Sequence, residues 1–561
     1  MTKVRRHFVA GKPGWIFHAL NGALFLSAAL LAVGKFGFTS EQDKRGWLKL
    51  SVVEEGSNAP APARVQLLDQ KGKSYAAEET LPFMGSKTDN GIYKLEEVMA
   101  DLAADRTKLN ARFYLENECT QTTQFYSAGS TRVALPPGVY SLKVFKGPEF
   151  RVAAREVEIR DGETADVTVP LSRWINLPRQ GWYSSDGHLH IPRPVAECNP
   201  LVSKWMQAED IHVANLLQWS YGGAPMTHTV QYKHGPGGIY QEGHYLLASG
   251  QESPCEHFLG HTITLGASSA IHFPGEKNKI YRLVFEEARR QNAISGYAHS
   301  GMGGAREGMA IDLPSSLVTF LEVLQARTKE IGDSMHAGIY DTWYASLNLG
   351  FRLVPLAGSD YPAQISTVPG RERFYTKVEG PFSYASWLEG IRKGRTFVTN
   401  GPLLEFQVNG VEMGGEVFLD KAGPVAVDAR VRFDPARERV DTLEVIQNGE
   451  VLQSFAGEEA ASEISARFRP EMKESSWLAV RVSGKKRDEA LPLPSVAHSA
   501  PIYVTPKGGP GLAAHPRAKA IAEAWRARLE KLEADARVKA NPELREAVQS
   551  ARKHYSDQAS R

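Results

Sequence analysis

Short apolar segments alternate with helical segments between residues 181 and 400, and this alternation constrains the fold more than any other feature of the sequence. Residues 181–190 and 211–218 have the pattern of strands, and residues 201–209 between them have the spacing of an amphipathic helix. The same succession continues to residues 353–360. Repeated strand and helix units predict a parallel α/β barrel or sheet, in which reactive groups lie at the C-terminal ends of the strands.

The flanking regions alternate apolar and polar residues, as half-buried strands do. Residues 45–175 predict a β-sandwich, and its proline-set turn at residues 135–138 resembles the turns of carboxypeptidase-regulatory modules. Residues 401–506 predict a second β-sandwich. Residues 512–561 predict a helical tail, whose apolar stripe we expect to pack on the body of the protein or on a neighbouring subunit, so a homo-oligomer stays open.

Residues 1–36 have the features of an export segment. A basic stretch precedes the apolar residues 15–33, and small residues at Ala32 and Gly34 suit a signal peptidase. We predict a cleaved signal peptide and export to the bacterial periplasm or the extracellular space. The alternative is a membrane anchor, since the stretch approaches the roughly 20 apolar residues that a spanning helix needs. In either case we expect contact with the membrane only through this segment.

The charge balance and the cysteines exclude several kinds of protein. The chain has 66 Lys and Arg against 64 Asp and Glu, and a formal net charge of +2 gives no field of the kind that attracts nucleic acid. Cys119, Cys198 and Cys255 lack the spacing of a zinc knuckle or a disulfide framework, although a Cys198–Cys255 pair stays open. We therefore predict a small-molecule substrate and no nucleic-acid partner.

A set of metal-ligand residues occurs where the predicted strands meet loops. His188 and His190 are two apart on one strand, so they project from the same face, together with Asp186. The other strand ends carry similar donors, namely Glu252, His261, His299 and Asp360. This donor set favours zinc, with manganese or iron as alternatives, and gives little support to calcium.

These residues belong to motifs that follow one another along the chain: residues 182–190, Gly250-Gln251-Glu252, Gly260-His261, Ala298-His299, Gly358-Ser359-Asp360 and residues 394–402. Together they resemble the CehA/McbA family of metallohydrolases, which belongs to the PHP superfamily. The resemblance covers about residues 130–505. It implies a PHP-like distorted seven-stranded β/α barrel over residues 180–400, with metals at the C-terminal ends of the strands.

The chain departs from the superfamily pattern at two places. Asn215-Leu216-Leu217 stands where many relatives have Thr-Asp-His, and Tyr361-Pro362 stands where a histidine often follows the aspartate. The resemblance then implies that usual ligands of the second and third metals are absent. We expect one divalent ion per chain, or at most two, held by His188, His190, Glu252, His299 and Asp360.

Such a site predicts an exported metal-dependent hydrolase that activates a water for attack on an ester, carbamate or amide bond of a small molecule. Asp360 is the predicted general base, or Asp186 if it does not orient the ligands. His261 is a further ligand or a hydrogen-bond donor behind one. Two alternatives remain: a multi-metal phosphoesterase of the same fold, and a non-catalytic secreted binding protein.

Residues 220–245 form a long loop with several histidines, and loops of this length tend to be functional. We predict a substrate lid in which His228 and His234 contact the substrate, together with Tyr361; for any single histidine a solvated surface position is the alternative. Glu322 is unusual within an apolar strand. Its ordinary explanation is a buried carboxylate paired with an arginine.

Overall fold

The structure is a computed structural model of the chain. It describes residues 44–77, 115–117, 122–219, 229–256, 258–299, 305–325, 334–361, 368–487 and 494–560. The apolar segment 15–33 and His228 lie outside these residues, as do Cys119 and the side chain of Cys255, while Cys198 is a buried free thiol. Within the described ranges no helix combines the length and the apolar character needed to cross a membrane.

The N-terminal region consists of strands. They are β1 (Gly46–Glu54), β2 (Ala63–Asp69), β3 (Ser74–Tyr75), β4 (Leu115–Asn117), β5 (Thr122–Ser127), β6 (Ser130–Leu135), β7 (Gly138–Phe145), β8 (Ala153–Ile159) and β9 (Thr164–Leu171). One sheet has the order β6-β1-β9 and the other the order β4-β5-β2-β7-β8, with β3 on β2. Alternate residues Leu48, Leu50 and Val52 of β1 are buried and share one core with Val65 and Leu67 of β2. The period-two pattern therefore packs two sheets face to face.

The central region combines strands and helices. The strands are β10 (Trp182–Leu189), β11 (Val213–Trp219), β12 (Tyr240–Glu242), β13 (Tyr245–Glu256), β14 (Gly260–Leu265), β15 (Ile294–Tyr297), β16 (Phe320–Gln325), β17 (Val354–Gly358), β18 (Arg373–Lys377) and β19 (Thr396–Thr399). The helices are α1 (Asn199–Ala208), α2 (Tyr281–Arg290), α3 (Ala305–Asp312), α4 (Ser334–Asn348) and α5 (Tyr384–Arg392). The sheet runs β17-β16-β15-β14-β13-β11-β10-β18-β19, with β12 beside β13.

The C-terminal region returns to strands and ends in helices. Its strands are β20 (Leu403–Val408), β21 (Val411–Glu412), β22 (Glu416–Leu419), β23 (Gly423–Pro424), β24 (Val427–Arg432), β25 (Glu438–Gln447), β26 (Glu450–Ala456), β27 (Glu463–Phe468), β28 (Glu471–Met472), β29 (Ser476–Lys486), β30 (Pro494–Ser499) and β31 (Ile502–Pro506), and its helices are α6 (Pro516–Glu533), α7 (Ala536–Ala540) and α8 (Pro542–Ala559). The apolar face of α6 and α8, with Leu529, Leu532 and Tyr555, joins the same core as β15 and β16. The tail thus packs on the body of its own chain.

The predicted PHP-like distorted seven-stranded β/α barrel is wrong, because the hydrogen-bonded strands form an open path instead of a ring. β10 pairs with β11 on one side and with β18 on the other, and the sheet continues through β19 into β30, β29, β25 and β26. The opposite end of the path is β17. Between β10 and β17 the described residues have an isolated bridge, Leu189 to Tyr361, and no ladder. The C-terminal strands are therefore continuous with the central sheet.

The direction of two strand pairs also differs from the predicted parallel α/β arrangement. β13 runs antiparallel to β14, and β14 runs antiparallel to β15. Three residues separate Glu256 from Gly260, whereas a parallel crossover needs about a dozen or more, so β13 and β14 have to form a hairpin. In the described part of the chain strand residues outnumber helical residues. The fold is mainly β, with a mixed central sheet.

A buried carboxyl in this core gives a first prediction, on pH and stability. Asp312 accepts a hydrogen bond of 2.6 Å from the Tyr297 hydroxyl, and burial raises its pKa to about 7 although this bond lowers it. The folded carboxyl therefore keeps its proton above the ordinary pKa of about 4. Since the folded state then binds more protons than the unfolded state, stability falls as pH rises from about 4 to about 7.

We expect Asp312→Asn to remove this part of the pH dependence, because the amide does not titrate. As pH rises through this window, the thermal midpoint of the wild type should fall relative to that of the variant. Thermal melts of both proteins across the window measure the difference. Parallel profiles for the two proteins would show that Asp312 ionises alike in the folded and unfolded chains.

Candidate metal centre

The side chains that the sequence predicted as metal ligands meet near the ends of β10, β15 and β17, beside the middle of β13. His188 lies in β10 and His190 follows its end, while Glu252 lies within β13. His299 and Asp360 each stand two residues beyond a strand and have positive φ angles of 32° and 52°. The backbone therefore turns sharply at both residues, a strained conformation that clusters at functional sites. All five side chains are buried.

Four ligand atoms form the first group. His188 Nε2 lies 3.2 Å from His190 Nε2. It lies 3.4 Å from Glu252 Oε2 and 3.3 Å from Asp360 Oδ1. His190 Nε2 lies 3.1 Å from the same Glu252 oxygen and 3.3 Å from the same Asp360 oxygen. Ligand atoms held about 2.0–2.1 Å from a tetrahedral zinc are about 3.3 Å apart, so these five distances have the length expected between ligands of one zinc-sized ion.

The hydrogen bonding of His188 shows that this cage of four atoms fits a cation. Its Nδ1 lies 3.1 Å from Glu322 Oε1, so the proton of a neutral ring sits on Nδ1 and donates to that carboxylate. Nε2 then presents a lone pair to the oxygens of Glu252 and Asp360. Electron pairs that face one another repel unless a cation lies among them. The donor chemistry therefore suits a divalent metal ion.

Glu252 links this cage to a second group of ligand atoms. Its other oxygen, Oε1, lies 2.7 Å from His261 Nδ1 and 3.4 Å from His299 Nε2, and the rings of these two histidines are 4.8 Å apart. The ligand atoms of Glu252, His261 and His299 all lie within 4.8 Å of one another. His261 thus joins the centre, and two groups that could hold a metal share one carboxylate.

Buried carboxylates dominate the electrostatics of the centre. Burial alone lowers the pKa of His188, but the charges of Glu322, Asp360 and Glu252 outweigh it and raise that pKa well above the ordinary value. Burial is likewise outweighed at His190, where hydrogen bonds to Asp360 and Glu252 raise the pKa to about 9. The pocket thus attracts positive charge, which either protons or a divalent ion can supply.

Asp186 organises the backbone around the cage. Its Oδ1 accepts from the backbone N–H of His188 at 2.9 Å and of Ser359 at 3.2 Å. Its Oδ2 accepts from the Ser359 hydroxyl at 2.6 Å and from the Gly370 N–H at 2.8 Å. Burial raises the pKa of this carboxyl to about 6 although all of these bonds lower it. The carboxylate thus fastens the end of β10 to the turn that carries Asp360.

Two further residues support the ligands from behind. Glu322 of β16 bonds His188 Nδ1 and also accepts the backbone N–H of His299 at 2.6 Å, in place of the arginine partner that its sequence context suggested. Gln325, at the end of the same strand, donates from Nε2 to Asp360 Oδ2 at 2.8 Å. Sequence reasoning missed Gln325, although its place at a strand end was the signal that revealed the ligands.

The structure also places the residues that were predicted to bind substrate. His234 is partly buried, its Nε2 lies 3.2 Å from Gln218 Oε1, and burial lowers its pKa to about 4. Gln218 is next to Trp219, whose register partner is Glu252. Tyr361 is buried against Trp205, and its carbonyl accepts the His190 N–H at 2.7 Å. The backbone of Tyr361, more than its side chain, therefore supports the centre.

A second prediction concerns Glu322. We expect Glu322→Gln to weaken metal binding by about 10- to 100-fold, the usual effect of losing a carboxylate behind a ligating histidine. The amide lacks the negative charge that holds the His188 proton on Nδ1. Metal retention against increasing chelator concentration measures the change.

Glu438→Gln is the matched control, since Glu438 is equally buried and pairs with Lys486 in the C-terminal sheet. If both variants keep their metal as the wild type does, Glu322 does not orient His188 for binding.

No family model matches the chain, and no curated protein does so. Among solved structures, the major pilin subunit BcpA of Bacillus cereus is 8% identical, with 82% of this chain and 69% of the pilin covered and a TM-score of 0.23. The minor pilin GBS52 of Streptococcus agalactiae is 14% identical, with 24% of this chain and 46% of that pilin covered and a TM-score of 0.14. At TM-scores this low, the likeness says nothing of the fold or the function of this chain.

Proposed function

We propose that the chain is an exported metal-dependent hydrolase of the CehA/McbA type, acting on an ester, carbamate or amide bond of a small molecule. The observation that carries this proposal is the spacing of the ligand atoms of His188, His190, Glu252 and Asp360, in which five distances of 3.1–3.4 Å have the length expected between ligands of one zinc-sized ion. The ordered motifs that contain these residues support the family. The basic and apolar N-terminal stretch supports export.

The ligand groups favour two ions over one. His188, His190 and Asp360 would hold one ion, His261 and His299 the other, and Glu252 would serve both through its two oxygens. Imidazole and carboxylate donors suit zinc, manganese and iron. When bound, the metal supplies Lewis acidity for activating a water and polarising a carbonyl oxygen.

Other residues of the chain would position the ligands and the general base. Asp186 and Glu322 hold the backbone and the ring of His188, so the ligands keep their geometry throughout the reaction. Gln325 orients Asp360, the proposed general base, through Oδ2. His261 has the most exposed ligand side chain, at 14%. Its Nδ1 lies 2.7 Å from Glu252 Oε1, so the ring would also orient the carboxylate that serves both ions.

The two ligand groups also favour a second candidate, a phosphoesterase. Pairs of ions clamp the attacking and leaving oxygens of a transferred phosphoryl group. The charge of the pocket argues for the first candidate instead. With the histidines bound as neutral ligands, the four buried carboxylates of Asp186, Glu252, Glu322 and Asp360 would balance two divalent ions. A neutral centre of this kind suits an uncharged carbonyl substrate better than a phosphate dianion.

Metal content and a substrate screen test the proposal together. We would measure zinc, manganese and iron per purified chain. We would then assay p-nitrophenyl acetate, a p-nitrophenyl carbamate and p-nitrophenyl phosphate with and without chelator. We expect bound metal, and turnover of the carboxyl and carbamate esters that chelator abolishes and zinc restores. Faster turnover of the phosphate would establish the phosphoesterase, and a chain that binds metal in no preparation and turns over none of the esters would be a binding protein.

A further inference from the structure

A cavity of about 520 Å³ lies at the opposite end of β17 from the metal centre. Its wall includes Leu353 and Val354, where β17 begins, whereas Asp360 follows the end of that strand. The five residues of β17 span roughly 13 Å, so the two places are separate. The volume falls within the range of about 300–1,000 Å³ that is usual for small-molecule sites.

The lining of the cavity contains four cationic side chains and one carboxylate. Arg352, Arg392, Lys393 and Arg395 face it, and Glu412 is the carboxylate among the lining residues. The carboxylates that pair with these cations, Glu379, Glu389 and Glu416, do not line the cavity. The lining residues themselves therefore carry more positive than negative charge, and the pairing carboxylates hold the cations from outside while offsetting part of that charge.

Arg352 makes two contacts that position its guanidinium. Its guanidinium lies 4.3 Å from the centre of the Tyr503 ring, and its Nη2 lies 2.7 Å from Glu416 Oε2. A guanidinium fixed by a ring face and one carboxylate keeps further N–H groups, and its planar fork suits bidentate binding of a carboxylate or phosphate. These two contacts therefore favour one orientation of the Arg352 guanidinium at the wall of the cavity.

A rigid turn presents two of the other cations. Lys393 and Arg395 flank Gly394, which has a φ of 69° and packs against Gly414, with a φ of 82°. A Cβ on Gly414 would stand 2.5 Å from the carbonyl carbon of Gly394. The two backbones therefore touch where only glycines fit. Gly394 and Arg395 also open the motif of residues 394–402, to which the metal centre assigns no role.

The rest of the wall is apolar, with Leu353, Val354, Val411, Ala500 and Pro501. We propose that this cavity binds a small organic anion with an apolar body, its acidic group on the arginines and its body against these side chains. The arginines would bind only the acidic group and the apolar side chains only the body, so the proposed ligand needs both.

Octanoate and octylammonium, which share a tail and differ in the sign of the head, are suitable probes for titration calorimetry on the full chain. We expect saturable binding of octanoate, weakened by added salt, and none of octylammonium. Charge reversal in Arg352→Glu/Arg395→Glu should weaken octanoate binding about tenfold or more, as expected for lost charge-assisted hydrogen bonds. Arg467→Glu is the control, since Arg467 is exposed and lies on β27, away from the cavity.

His188→Ala should leave octanoate binding unchanged, which separates this site from the metal centre. Equal binding of the two probes, absence of saturable octanoate binding, or a double variant that binds as the wild type does would each overturn the proposal. If the double variant fails to fold, the salt dependence of octanoate binding and the comparison of the two probes on the wild-type chain still test the proposal.

Discussion

Glu252→Gln is expected to lower hydrolytic turnover by about a thousandfold or more, because it removes the one carboxylate that serves both ligand groups. Its Oε2 faces His188 and His190, and its Oε1 faces His261 and His299. An amide keeps the size of the side chain but binds a cation more weakly through its oxygen, and its NH2 group cannot ligate a cation at all. One group therefore keeps only a weaker ligand, and the other faces an NH2 group that cannot ligate.

Metal per chain and turnover of the best ester substrate measure this effect on the same preparation. Metal content should fall by at least about half, since one group loses a ligand whichever way the amide turns. Glu242→Gln is a suitable control, because Glu242 on β12 pairs with Lys204 away from the ligand groups. Full metal content with unchanged turnover in Glu252→Gln would exclude Glu252 from the centre.

The sequence predicted the members of the centre better than their arrangement. A polar residue where an apolar segment ends can be recognised without knowing how the strands pair, which is why Glu252, His299 and Asp360 were predicted. Which oxygen of Glu252 faces which histidine depends on side-chain rotamers and on the pairing of distant strands. The sequence therefore left one ion or two open, and only the three-dimensional structure shows one carboxylate facing two groups.

Roles that depend on distant contacts were beyond the sequence for the same reason. The sequence showed that Glu322 is a carboxylate within an apolar strand, and it predicted an arginine partner. The actual partner, His188, is 134 residues away. The sequence left open whether Asp186 acts as a general base or orients the ligands. The N–H of Gly370, one of the groups that bind its carboxylate, lies 184 residues further on.

The error in the fold has a local cause. Strand and helix units were read as repeating and parallel, yet the short connection between Glu256 and Gly260 forces a hairpin. The alternation in β1, where Leu48, Leu50 and Val52 point inward, needed no such information and gave the packed N-terminal sheets. The sequence thus predicted which residues of a strand are buried, but not how the strands pair or whether the sheet closes into a barrel.

Gly358→Ala is expected to destabilise the chain by about 3 kcal/mol and to abolish metal binding. Gly358 ends β17 beside β10, and a Cβ there would stand 2.7 Å from Glu322 Oε1 and 2.8 Å from the backbone N of His188, with the Cβ of His188 closer still. These atoms are the backbone N and the Cβ of His188, which move only with β10, and a carboxylate already bonded to His188 and His299. Relief of the clash therefore has to separate the strands that carry the ligands.

Gly511→Ala is the matched control, because no atom lies within 4 Å of a Cβ built there and its φ of −69° suits any residue. We expect the thermal midpoint of Gly358→Ala to fall by several degrees and that of Gly511→Ala to stay within about one degree of the wild type. Metal analysis of the folded fraction then separates the two effects. A Gly358→Ala chain of wild-type stability and metal content would mean that β10 and β17 are not held as closely as their contact at Gly358 implies, and the spacing of the ligand cage would lose its support.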